Sequence, residues 1–305
     1  MKTYHFISGL PRSGTTLLSA ILKQNPRFST GISDPLAMYI NSIIKDTGTA
    51  AGMEAVVSID KRRQMIRDLF DSYYKENKTD VCFNTNRGWC AETSLLADLF
   101  PTFKMIVCVR EIPWILDSFE QLNAKNPYTI KPLYGHQQLS TVYERTNMLM
   151  GQIPNFPGYV AGPLANVKQS LFCNERKNIL YIEYDTLVRE PLSVLKAIYN
   201  FIGEPWFNHD FNSVEDSYDE FDQQTKIVGL HTVRKKVEFK QRVSILPGDL
   251  WQQYESASFW RSNFDQIKSQ LNWIPNVQPT TQSQLVKQSP QSIPQPQRPI
   301  LAKQL

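Results

Sequence analysis

Apolar residues fall in short continuous runs separated by stretches of helical spacing. Tyr4–Ser8 reads as a buried strand, and Ser13–Lys23 as a helix whose apolar set is Leu17, Leu18, Ile21 and Leu22. Val81–Phe83 predicts a second short strand, followed by a helix over Ala91–Phe100. Lys104–Val109 is a third strand, and Pro113 stands where a helix's first turn tolerates it, with that helix running to about Leu122. Asn178–Glu183 is a further strand, and Pro191–Ile202 a helix closed by Gly203 and Pro205. Repeated βα units of this kind predict an α/β fold, a parallel sheet with helices on both faces. No internal repeat is visible.

Two stretches break the rhythm. Residues 123–177 are helical in places (Ser140–Met150, Pro163–Phe172) but interrupted by Pro, Gly and Tyr, and read as an insertion lining an acceptor site or as packing elaboration. Asp210–Pro247 is a second irregular region that could frame the same site, because ligands of open α/β sheets bind beyond the carboxyl ends of the strands. The predicted domain is therefore 1–275. Residues 276–305 hold eight Gln and five Pro with little apolar periodicity, which predicts a disordered tail.

Composition narrows the class. The longest apolar runs, such as Met105–Val109, are far shorter than the roughly 18–20 residues of a membrane span, and no signal-peptide pattern opens the chain. Four cysteines without a Cys-x-x-Cys pair point to a reduced, cytoplasmic, soluble protein with no structural zinc and no membrane partner. The net charge is +4, of which Lys287, Arg298 and Lys303 of the tail supply three, so the body is nearly neutral. A nucleic-acid partner is not expected of so small a net charge. An anionic ligand would be held by a few placed groups.

The strongest local signal is Gly9-Leu10-Pro11-Arg12-Ser13-Gly14-Thr15-Thr16 between a strand and a helix. A glycine-bearing turn there presents backbone N–H groups and the positive end of the helix dipole to an anion, phosphate above all. The hydroxyls of Ser13, Thr15 and Thr16 add donors. The Gly-x4-Gly spacing matches a Walker loop, but Thr15 stands where the lysine that reaches nucleoside triphosphates should be, and the cation is Arg12 instead.

Pro11-Arg12-Ser13-Gly14-Thr15-Thr16-Leu17-Leu18 resembles the 5′-phosphosulfate loop of sulfotransferases, which use 3′-phosphoadenosine 5′-phosphosulfate (PAPS) and release adenosine 3′,5′-bisphosphate (PAP). The Pro-Arg form is similar to tyrosylprotein sulfotransferases and to a bacterial branch of the family. Val107-Cys108-Val109-Arg110 followed by Ser118 resembles the family's 3′-phosphate clamp, and Ile182-Glu183-Tyr184 its strand-end Tyr near the adenine. Gly229-Leu230-His231-Thr232-Val233-Arg234-Lys235-Lys236 resembles a basic loop closing over the nucleotide, with Arg234 and Lys235 as phosphate ligands. The resemblance spans about residues 4–260 and implies a P-loop-like three-layer fold with a central, mainly parallel sheet, and no metal.

It also implies Arg12 beside the leaving 5′-phosphate, with Ser13, Gly14, Thr15 and Thr16 binding it. Where the tyrosine-modifying enzymes carry a Lys after the second strand this chain has Thr85; Arg87 is the nearby cation that could substitute, in a catalytic or substrate-contacting role. Asn84, where the bacterial branch often has Asp, is another departure. Their general-base Glu falls on Ser33, and Asp34 serves after a one-residue shift. His136 is an alternative base, with His5, His209 and His231 assigned to structure. The acceptor is a small molecule, a glycan or a peptide tyrosine, and oligomeric state is not legible. A small-molecule kinase or a non-catalytic nucleotide-binding relative are the competing readings.

Overall fold

The computed structural model describes residues 2–49, 52, 56–128, 131–135, 137–153, 156–216, 218–261 and 271–274. The chain divides into a unit Met1–Pro275, to which every described residue belongs, and a unit Asn276–Leu305. The expected disordered tail and His136 lie outside the described residues.

Six strands form one sheet: β1 (Thr3–Gly9), β2 (Phe28–Thr30), β3 (Val81–Thr85), β4 (Met105–Val109), β5 (Ile179–Glu183) and β6 (Asn272–Ile274). Their order is β2-β3-β1-β4-β5-β6, and every pairing is parallel. β3, β4 and β5 are buried at every position, because helices cover both faces. Alternate residues feed two separate apolar clusters. Phe6, Met105, Val107 and Tyr181 point to one face, and Ile7, Ile106, Cys108 and Ile182 to the other. Each such side chain, fully buried, contributes about 1.5–3 kcal/mol relative to exposure.

The predicted elements are present within a few residues, and the helix Pro191–Ile202 has the bounds read from the sequence, ending on Gly203 at φ 74°. Several elements carry no clear sequence signature, among them the short helices Tyr184–Arg189, Asp219–Gln224 and Gly248–Glu255. β2 and β6 are three residues long, and the helices Leu36–Thr49 and Ile59–Tyr73 leave Met38, Tyr39, Ile59 and Tyr73 exposed. No helix among the described residues is long and apolar enough to cross a membrane.

The topology decides where a ligand can go. From β1 the chain crosses to the edge strand β2 and returns through β3 on one side of β1, then passes to β4, β5 and β6 on the other. β1 and β4 therefore flank the point where the strand order reverses, and ligands of open α/β sheets bind beyond the carboxyl ends of strands at such a point. The loop after Gly9 and the residue after Val109 share that edge, with Gly9 in register with Cys108.

His5 on β1 carries one pH consequence. The Lys104 N–H donates to its Nδ1 at 3.2 Å, while its Nε2 is buried without a partner. Burial, with Lys104 adding to it, pushes the imidazole down to about 4 from an ordinary 6.5. The folded state thus binds fewer protons than the unfolded one, and stability is lost as pH falls from 6.5 towards 4. His209, also lowered by burial, acts with the same sign. Urea unfolding across this range is expected to lose roughly 1.4 kcal/mol per pH unit through His5. His5→Gln should make the slope shallower; an unchanged slope would assign the acid limb elsewhere.

Candidate active site

The loop after β1 is shaped by contact with β4. Gly9 has φ 129°, and a Cβ there would stand 2.1 Å from the Cys108 carbonyl oxygen, so only glycine lets the chain turn beside β4. Gly14, φ 95°, precedes the helix Thr15–Leu22, and a Cβ there would meet the Tyr184 ring at 2.9 Å. Arg12 between them is left-handed too, at φ 58°, a conformation that costs an ordinary residue about 1–2 kcal/mol. Ser13 braces the turn: its buried hydroxyl lies 2.6 Å from the Leu10 carbonyl and 2.9 Å from that of Cys108. Its side chain is thereby committed to the fold, and what it offers a ligand is its N–H. The helix starts without a side-chain cap or an acidic residue in its first turn, which leaves its first N–H groups for an anion. Thr15 and Thr16 are half-buried at that first turn.

Arg110 emerges from β4 and lies over the Tyr184 ring at the end of β5, with Cζ 4.3 Å from the centroid. Its Nη1 donates to the Arg12 carbonyl at 3.2 Å. The Arg12 side chain spans outward: Nε donates to Ser118 Oγ at 3.0 Å, and Nη1 donates to the Leu230 carbonyl. Ser118 was expected beside Arg110; the structure bonds it to Arg12. Among the described residues neither guanidinium forms an ion pair with a carboxylate. Burial first, and the Arg110 charge next, push Arg12 down to about 10, and burial also lowers Arg110. Both stay cationic at neutral pH, and Arg110 Nε is buried without a partner. A donor left so costs about 1–3 kcal/mol, which a bound anion would relieve.

A third cation bears on both, and it is Arg242. Its guanidinium meets buried Asp117 at 2.7 Å and stacks 5.1 Å from the Trp114 ring. Asp117 also accepts from the Ser244 hydroxyl at 2.9 Å and the Ile245 N–H at 2.8 Å, fastening this segment to the helix Ile112–Lys125. Arg234 and Lys235 stand exposed, and Lys235 pairs with exposed Glu215 at 3.3 Å.

On the other side of the loop, Asn86 caps a short turn that begins with Arg87. Arg87 lies 4.2 Å over the Tyr159 ring and donates to a Tyr159 hydroxyl at 2.6 Å. Thr85 is buried, its hydroxyl unpartnered, and its N–H donates to Asp34 Oδ2 at 2.7 Å. The Tyr73 hydroxyl donates to Asp34 Oδ1 at 3.1 Å. Burial raises the Asp34 carboxyl, opposed by these two bonds. Both its oxygens are engaged, one tying the exit of β2 to the end of β3 and the other to the helix Ile59–Tyr73.

Sequence comparison supplies the family. Residues 5–208 match the profile described as the Sulfotransferase family. The chain belongs to this family. Among solved structures, the chain is similar to a sulfotransferase from Alicyclobacillus acidocaldarius, 18% identical, covering 74% of this chain and 92% of that one at a TM-score of 0.50, which shows a shared fold. The sulfotransferase domain from the curacin biosynthetic pathway is 16% identical over 90% and 99% of the two chains, TM-score 0.47. Mouse sulfotransferase SULT7A1, solved with PAP, is 14% identical over 88% and 87%, TM-score 0.46. No curated protein matches the sequence.

This member of the family also contains a pair with no sequence signature. His231 Nδ1 lies 2.6 Å from Asp222 Oδ1, and the His231 N–H donates to Asp222 Oδ2 at 2.8 Å. Asp222 is 1% exposed, on the short helix Asp219–Gln224. His231 directly follows Leu230, whose carbonyl accepts from Arg12. Burial lowers the imidazole, Asp222 opposes, and the Arg12 and Arg87 charges lower it further. The imidazole is therefore neutral at neutral pH, and with Nδ1–H given to Asp222, Nε2 is the nitrogen that can accept a proton. His231 stands inside the basic segment quoted above, but Asp222 lies nine residues earlier in an acidic run, and no spacing rule links them. Arg242 lies beyond the same segment and has no signature of its own.

Proposed function

We propose that the chain transfers a sulfuryl group from PAPS to a hydroxyl or amine acceptor, a small metabolite, a glycan or a protein tyrosine. The observation that carries this reading is the convergence of an uncapped, lysine-free loop with two half-buried guanidiniums, Arg12 and Arg110, that pair with no carboxylate among the described residues. The orphaned Arg110 Nε beside the uncapped helix suits a doubly phosphorylated nucleotide. When bound, PAPS supplies the sulfuryl group and carries negative charge away on its 5′-phosphate.

Each residue then has a defined task. The N–H groups of Ser13, Gly14, Thr15 and Thr16 hold the 5′-phosphate, and Arg12 stabilises the charge that develops there. Arg110 binds the 3′-phosphate, Tyr184 supports the guanidinium near the adenine, and Ser118 orients Arg12. Arg242, ion-paired with Asp117, lies near enough for its charge to bear on both guanidiniums, and exposed Arg234 and Lys235 are the candidates for further phosphate contacts. His231 Nε2 accepts the acceptor's proton, and Asp222 holds the tautomer and stabilises the imidazolium. Arg87, stacked on Tyr159 of the insertion 123–177, faces the acceptor side, and Asp34 braces Thr85. The sulfotransferase domain spans residues 1–275.

Calorimetric titration with PAP, AMP and ATP tests the reading. PAP is expected to bind most tightly, and Arg110→Ala to remove its advantage over AMP, a loss of about 1.5–3 kcal/mol for a charge-assisted contact. Sulfation of an acceptor panel with PAPS then separates an enzyme from a binding protein. Tighter binding of ATP would overturn the proposal.

A further inference from the structure

The clamp residues Arg110 and Tyr184 alternate along the chain with carboxylates: Glu111 follows the first, and Glu183 and Asp185 flank the second. Val109 and Glu183 are register partners at the carboxyl ends of β4 and β5, so the two stretches leave the sheet side by side. Alternation separates their contacts. Arg110 and Tyr184 meet the phosphate loop, through the Arg12 carbonyl and the space at Gly14. The three carboxylates instead converge on one guanidinium, that of Arg261. Its Nη1 lies 2.9 Å from Glu111, and its Nη2 lies 2.7 Å from Glu183 and 3.8 Å from Asp185.

Arg261 ends the short turn Phe259–Arg261, far along the chain from the loop and the clamp. Ser258 of the same segment accepts the Ile112 N–H at 2.8 Å, at the start of the helix that carries Ser118. One short segment thus grips the residue after Arg110, the residues on both sides of Tyr184, and the first turn of the Ser118 helix. Without the guanidinium, three carboxylates would face one another at two adjacent strand ends with little water to screen them. Their repulsion would act on the spacing that sets Arg110 over Tyr184.

We propose that Arg261 is a positioning residue for the nucleotide clamp: by holding the ends of β4 and β5 together through Glu111, Glu183 and Asp185, it sets the preference for a 3′-phosphorylated nucleotide. The inference rests on the nucleotide reading above. It acts through Arg110 and requires no contact between Arg261 and the ligand.

The test is calorimetry on the full chain, measuring dissociation constants for PAP and AMP in the wild type, Arg261→Met, Arg261→Lys, Glu111→Gln, Arg110→Ala and the double variant Arg110→Ala/Arg261→Met. Arg261→Met is expected to reduce the preference for PAP about tenfold while AMP, which engages the loop, changes by less than about threefold. Arg261→Lys should recover part of the preference, because it restores charge without the fork. Glu111→Gln, which keeps the Glu183 contact, should lower the preference about threefold, and it and Arg261→Lys decide the matter should Arg261→Met not fold. In the Arg110→Ala background, adding Arg261→Met should change the ratio no further. A wild-type preference that survives Arg261→Met, or an effect that adds to that of Arg110→Ala, overturns the inference alone. A wild type with no preference for PAP overturns the nucleotide reading and the inference with it.

Discussion

Arg12→Ala is expected to lower kcat for sulfuryl transfer from PAPS by about 10²–10³-fold, the range for removing one preorganised donor from a transition state. The guanidinium is held at two points, Ser118 Oγ and the Leu230 carbonyl, and by no carboxylate among the described residues. Its charge is therefore available, and its position is set before the ligand arrives. The burial that pushes it down to about 10 also strengthens its field at the charge it faces, because less water intervenes. PAP binding should weaken by less than the rate, since the backbone N–H groups of the loop remain. Arg12→Lys should fall between the two, keeping a charge but unable to reach both Ser118 and Leu230 with one fork. Steady-state sulfation kinetics decide it: an unchanged kcat in Arg12→Ala would remove Arg12 from the chemistry.

His231→Gln is expected to cost about 10²–10⁴-fold in kcat, the usual contribution of a positioned general base. The pH profile supplies the sign. The base works neutral, so activity is full above its pKa and lost as pH falls through it, and the lowered imidazole places that limb below the ordinary histidine range. Asp222→Asn removes the anion that raises the imidazole, so its limb should move to lower pH while the plateau rate drops through loss of the fixed tautomer. Asp34→Asn provides the contrast. If Asp34 were the base, this change would take the rate and His231→Gln would spare it; the geometry predicts the reverse, with Asp34→Asn within about tenfold of wild type.

The legible parts of the site were those confined to one strand and the turn after it. Gly9-x4-Gly14 between an apolar run and a helix, and Arg110 after Met105–Val109, are local patterns, because the strand end itself aims the residue that follows. Tyr184 was readable for the same reason. The hydrogen bond from Arg12 to Ser118 was not legible, because the distance between side chains depends on how the helix Ile112–Lys125 docks and not on its sequence. Arg242 and the His231–Asp222 pair were not legible. They lie in a region with little regular structure, where no period fixes which way a side chain turns, and the partner of Arg242, Asp117, comes from the helix Ile112–Lys125. Asp34, read as a base from its place in the chain, has both carboxylate oxygens bonded to Thr85 and Tyr73, a contact made by the helix Ile59–Tyr73 that the sequence did not reveal.

The sequence by itself determined the βα rhythm, the parallel sheet and the glycine-bearing turn after β1, since each follows from short-range periodicity and from glycines whose backbone angles other residues resist. The tertiary structure alone decided which cations lie unpaired, which histidine is neutral and held by a carboxylate, and how Arg261 joins two strand ends. Those are properties of groups brought together from distant parts of the chain, where burial and mutual charge act over a few ångströms of space and leave no trace in spacing along the sequence.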